Sequence, residues 1–140
     1  MRPVTDPAQL RDAGKATLAA VAPRSAGELL EAARAAGLHG VPIDLAGCRD
    51  KAGFLARMAA ALEFPACFGQ NWDALADYLG DLEWVPAEGY LLLLENGADF
   101  RDAAGEDYRI AIGILAATVA TWREREIPFW VFVAEKKDET

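Results

Sequence analysis

Apolar positions along the chain recur at two spacings, and the spacings predict the elements. From Asp107 to Arg125 the apolar residues Tyr108, Ile112, Leu115, Val119 and Trp122 step by four and three, which puts them on one face of a long helix. Asp50 is placed to cap a second helix running to about Leu62, with Phe54, Leu55, Met58 and Leu62 as its buried stripe. Ser25 and Glu28 fit a capping box that opens a third helix, with Leu29, Leu30 and Ala33 facing inward and Gly37 as its stop. Asn71 caps a short fourth helix over WDALADYL. Before Ser25 the pattern is poor: Pro7 to Val21 reads as a helix with a thin apolar stripe, interrupted by Gly14. Two runs, Tyr90 to Leu94 and Phe129 to Val133, are apolar at every position, as strands buried on both faces are. Val41 to Leu45 reads as a further strand weakened by Pro42, with Asp44 facing outward near its end.

Strands separated by helices give an α/β fold. The expectation is a small three-stranded parallel sheet with right-handed crossovers, flanked by helices and preceded by an extra N-terminal helical segment. Residues 1–38 are read as that extension, 39–135 as the main domain and 136–140 as a charged tail.

Composition adds limits. A chain of 140 residues with 53% hydrophobic content is long enough to bury a core without staples. It contains no run of 18 apolar residues, so no membrane span is expected. Ala16 to Pro23 would make a poor signal-peptide core, and two cysteines, Cys48 and Cys67, are too few for a secreted disulfide framework. A reduced, cytoplasmic setting is the expectation. With a net charge of −8 and a pI near 4.6, the chain should repel nucleic acid. A monomer that binds neither nucleic acid nor membrane is expected.

The charge is unevenly placed. Between Met58 and Phe100 lie eight acids (Glu63, Asp73, Asp77, Asp81, Glu83, Glu88, Glu95 and Asp99) and no lysine or arginine. The remaining 14 acids match the 14 bases, so this window carries the whole net charge. Asp73 and Asp77 share a face of the short helix, where like charges cost a few tenths of a kcal/mol. With Phe68, Trp72, Tyr78 and Trp84 nearby, the segment reads as a surface that meets something cationic.

Most catalytic chemistry is missing. There is no Gly-rich phosphate loop, no Cys-x-x-Cys pair, a single serine and a single histidine, His39. A Cys67 nucleophile would have only His39 as its base. Asp73, Asp77 and Asp81 could in principle hold a divalent cation. Carboxylates with no positive group to handle leaving-group charge make a weak case for an enzyme, and for Asp73 the first turn of the helix is itself a favourable place for an anion. No catalytic residue, cofactor or metal is expected.

The segment FPACFGQNWDALADYL resembles the signature of the barstar family, intracellular inhibitors of small ribonucleases. The likeness covers roughly Val41 to Ala134. It includes Asp44-Leu45, the helix that follows, the Phe-Pro-x-x-Phe-Gly-x-Asn-x-Asp-Ala-Leu-x-Asp core and the two apolar strands. The resemblance implies inhibition without catalysis: the loop and helix from Cys67 to Asp77 would plug the active site of a basic ribonuclease. Asp77 matches the family's principal acidic contact, Asp73 a second one, and Gly69 and Asn71 match contacting loop positions. The implied surface runs through Cys67, Phe68, Gly69, Asn71, Trp72, Asp73, Ala76, Asp77 and Gly80. Three positions depart from the best-known member: Cys67 stands for a contacting tyrosine, Ala76 for a tryptophan and Leu82 for a second tryptophan. Trp72 offers aromatic area from a neighbouring position. The family's acidic contacts late in its last helix would fall near Thr121 to Arg125, and none is carried over. Two other readings stand beside the inhibitor: a barstar-like interaction or immunity protein for a non-ribonuclease toxin or regulatory partner, and a metal-dependent hydrolase built on Asp73, Asp77 and Asp81.

Overall fold

The computed structural model describes residues 6–65 and 68–135. In chain order the elements are α1 (Pro7–Leu10), β1 (Leu18–Val21), α2 (Ala26–Ala35), β2 (His39–Asp44), α3 (Lys51–Ala61), α4 (Trp72–Leu79), β3 (Tyr90–Glu95), α5 (Ala98–Ala103), α6 (Gly105–Glu124) and β4 (Phe129–Ala134). The strands form one parallel sheet in the order β1-β4-β3-β2. In register, Leu92 lies between Val41 and Val131, so β3 is paired along both edges.

The sheet has four strands rather than the expected three. The extra one is β1, within the stretch read as a helix from Pro7 to Val21; only Pro7–Leu10 of that stretch is helical. Leu18–Val21 is alanine-rich, and alanine favours helix locally. Pairing with β4 overrides that preference, with backbone bonds from Val131 N to Thr17 O and from Glu135 N to Val21 O at 3.1 and 3.0 Å.

The capping box at Ser25 does not form. A 3-10 turn over Pro23–Ser25 runs straight into α2, so Ser25 is already helical (φ −86°, ψ −5°) and its side chain makes no cap bond. At α3 the expected cap is present: Asp50 Oδ1 accepts from Gly53 N at 2.8 Å. The stripe of α6 is centred slightly differently from expectation. Leu115, Val119 and Trp122 are buried together with Ala111 and Thr118, while Tyr108 and Ile112 are half-buried.

The two fully apolar strands are covered on both faces. Tyr90, Leu92 and Leu94 of β3, with Phe129 and Val131 of β4, pack into a core with α3, α4 and α6. Leu91, Leu93, Trp130 and Phe132 point the other way, into a second core closed by Leu10, Ala16, Leu29, Ala32, Ala33 and Ala36. Residues between Leu10 and Leu38 therefore supply the cover for the far face. Trp130 Nε1 donates to Leu10 O at 2.8 Å, and Arg123 donates to Ala16 O, tying that cover to β4 and α6.

Candidate functional site

The acidic helix α4 is set up by the loop before it. Phe64 N bonds to Ala59 O and Phe68 N to Pro65 O, so the chain turns twice within a few residues of leaving α3. Gln70 takes a left-handed backbone (φ 54°), uncommon for a residue with a side chain, immediately before the helix. Asn71 then caps α4 as its sequence suggests: Oδ1 accepts from Ala74 N at 2.7 Å, and Nδ2 donates to Gly69 O at 3.4 Å.

Leu75 and Leu79 fix the orientation of α4 by entering the core. Helical spacing then places Asp73, Ala76, Asp77 and Gly80 on the opposite side. Asp73, Ala76 and Asp77 are exposed and Gly80 is half-buried. The four ion pairs among the described residues (Arg34–Glu31, Arg101–Asp102, Arg101–Glu135 and Arg109–Glu106) all lie elsewhere, so none engages Asp73, Asp77 or Asp81. Gly69 and Gly80 need not be glycine for the chain's own packing. A Cβ at either would meet its neighbours at 3.4 Å or more, and neither has a left-handed backbone.

The aromatic residues divide into two groups. Phe64, Phe68, Tyr78 and Trp84 form a cluster with ring centroids 4.9–5.9 Å apart, joining the loop to the flank of α4. Trp84 Nε1 donates to Leu62 O at 3.0 Å and closes the cluster onto the end of α3. Trp72 stands apart. Its ring packs on Phe54, 6.0 Å between centroids, with Lys51 Nζ 5.4 Å from its centre. Phe68 and Trp72 are both half-buried, each with part of its ring used inside the molecule. Cys67 lies outside the described residues, and with it any approach to Cys48.

The far end of α4 is held from α6. Trp122 Nε1 donates to Leu79 O at 2.8 Å, and Arg125 Nη1 to Gly80 O at 2.6 Å. The Arg125 guanidinium lies over the Trp122 ring at 4.5 Å. These residues are more than 40 positions from α4, and no local sequence pattern links them to it. The aromatic cluster was partly legible, because its members crowd into residues 64–84.

Other titratable groups explain themselves structurally. Asp44 sits exposed at the end of β2, where it accepts from Asn96 Nδ2 and Ala46 N, both at 2.9 Å. The Asn96 bond first, then that from Ala46, and the charge of Arg57 hold its carboxyl below the usual carboxylate range. Burial pushes the Cys48 thiol up, away from nucleophilic use. Among the described residues no three His, Cys, Asp or Glu side chains gather as a metal site would. None of the described helices is long and apolar enough to cross a membrane. A cleft of about 550 Å³ opens at the carboxyl ends of β3 and β4, lined in part by Asn96, Asp99, Arg101, Tyr108 and Glu135. The acidic face of α4 is not part of it.

A family model described as Barstar (barnase inhibitor) matches residues 38–134. The chain belongs to the barstar family. The match spans β2 to β4, so it contains the whole acidic loop and helix with its supports from α3 and α6. Elements α1 and α2, which cover the far face of the sheet, and edge strand β1 precede the matched span. The barstar family is a family of inhibitors rather than of catalysts. A search of curated proteins returns no match.

Proposed function

We propose that this barstar-family chain inhibits a small basic ribonuclease by laying α4 and its preceding loop across the enzyme's active site. The observation that carries the reading is the pair Asp73 and Asp77. Both are exposed on one helical face, and among the described residues neither is neutralised by an ion pair. An acidic face of this kind is attracted to a cationic cleft from a distance and gains most when its charges are desolvated against bases. Asp77 is the principal anchor and Asp73 the second, with Gly69, Asn71, Ala76 and Gly80 letting the enzyme approach closely. Cys67, Phe68 and Trp72 complete the surface. The binding unit is residues 39–135, with the segment from Leu10 to Leu38 serving as cover, and the protein works as a monomer in the cytoplasm. There it protects the cell from a toxic nuclease of its own or of a neighbour.

One feature favours a second reading. The Trp72 ring is partly spent on Phe54 and Lys51, so it only partly replaces the aromatic area missing at Cys67 and Ala76. Aromatic anchors often dominate interfaces, and a partner other than a ribonuclease, a toxin or a regulatory protein, would fit a face poorer in them. The deciding experiment is RNA cleavage by a panel of small basic ribonucleases at low salt with the inhibitor added stepwise. Loss of cleavage at one equivalent supports the first reading. Undiminished cleavage by every enzyme at large excess moves the proposal to the second.

A further inference from the structure

Helix α4 has eight residues, and its last carbonyls have no partners within the helix. Two of these ends are satisfied from one place. Trp122 takes Leu79 O, and Arg125 takes Gly80 O while its guanidinium sits over the Trp122 ring. The base of this clamp is itself fixed. Ile127 N and Arg125 N both bond to Trp122 O at 3.0 Å, and Glu126 turns the chain with φ 62°. Gly80 lies one turn beyond Asp77, so the clamp grips the helix next to the aspartate that faces outward. A guanidinium is also electrostatically favoured there, at the negative end of the helix dipole.

We propose that Arg125 is the positioning residue of the acidic face. It holds the last turn of α4 in one conformation before any partner arrives, so that binding does not have to order it. The same side chain places a positive charge at the end of an acidic surface, which weakens attraction to a basic partner. Positioning and steering therefore pull in opposite directions at this residue, and Arg125→Ala separates them. Its consequence for binding rests on the inhibitor reading; its effect on α4 does not.

Two measurements on the full chain test it. In amide hydrogen exchange, Arg125→Ala should speed exchange at Leu79, Gly80 and Asp81 about tenfold, the scale of a lost bond to a charged donor, and leave β3 and β4 unchanged. Arg125→Lys, which keeps a charged donor but not the planar guanidinium over the Trp122 ring, should recover part of the protection. With a ribonuclease that the wild-type chain inhibits, Arg125→Ala should raise the dissociation rate while association at low salt is unchanged or faster. A general loss of structure would not quicken association. Unaltered exchange at the end of α4 overturns the proposal, as does slower association with unaltered dissociation. If no ribonuclease is inhibited, the functional reading fails, and exchange alone decides the role of Arg125.

Discussion

Asp44 shows how a single charged residue can be structural on a surface rich in acids. Its carboxylate joins the end of β2 to Asn96 after β3 and to the Ala46 amide. Because its folded-state affinity for protons is lowered, its contribution to stability is present above the unfolded value near 3.8 and fades as pH falls through the lower folded value. Asp44→Ala should therefore lower the urea midpoint near pH 7, and the gap to wild type should be narrower at an acid pH below 3.8. A gap of constant size at both pH values would contradict this. Trp84 is a second such residue. Trp84→Phe keeps a ring in the aromatic cluster but removes the bond to Leu62 O, and should cost about 1 kcal/mol in urea unfolding. No measurable loss would mean that this bond does not help fasten the loop. Residues whose role is local were legible in the sequence: Asn71 and Asp50 cap as their positions suggest. Ser25 was misread because the turn made by Pro23 upstream, not its own spacing, sets its conformation.

Among elements, those with strong internal periodicity could be read directly, and those defined by a partner could not. Helices α3 and α6 carry their own stripes, and β3 and β4 announce burial on both faces by being apolar throughout. Strand β1 carries no such mark. Leu18–Val21 is a strand because the edge of β4 is open beside it, a fact about distant residues. The six-residue helix α5 was likewise missed, being too short to show a period. The apolar surface of β3 and β4 nevertheless required a cover on each side, and α1 with α2 supplies the second. A chain beginning at Leu38 would expose Leu91, Leu93, Trp130 and Phe132. At roughly 2–3 kcal/mol per side chain this forfeits on the order of 10 kcal/mol, comparable with the whole stability of a domain. Such a chain should show no cooperative thermal unfolding by circular dichroism. A sharp transition close to that of the full chain would show that the far face needs no cover.

Over the whole molecule, the distribution of charge matters more than its total. Acids and bases balance outside residues 58–100, and the structure brings two bases to α4 that the sequence window lacks: Lys51 beside Trp72 and Arg125 at Gly80. Neither forms an ion pair with Asp73 or Asp77, so the face keeps its field. Association with a basic partner should slow about tenfold or more as ionic strength rises from about 0.02 to 0.2 M. A rate indifferent to salt would remove attraction at a distance from the account. The chemistry of the face was legible because its acids lie close together in sequence. Its supports were not, because they come from the end of α6.

The central claim is that Asp77 anchors the inhibitor. The most direct test compares inhibition constants of wild type, Asp77→Ala and Asp81→Ala against the ribonuclease most strongly inhibited in the panel. Asp77→Ala should weaken inhibition by on the order of 3 kcal/mol, roughly a hundredfold. Asp81→Ala, beyond the end of α4, should change it by less than about 0.5 kcal/mol. Equal losses at the two positions would show a diffuse acidic surface with no anchor, and would contradict the account.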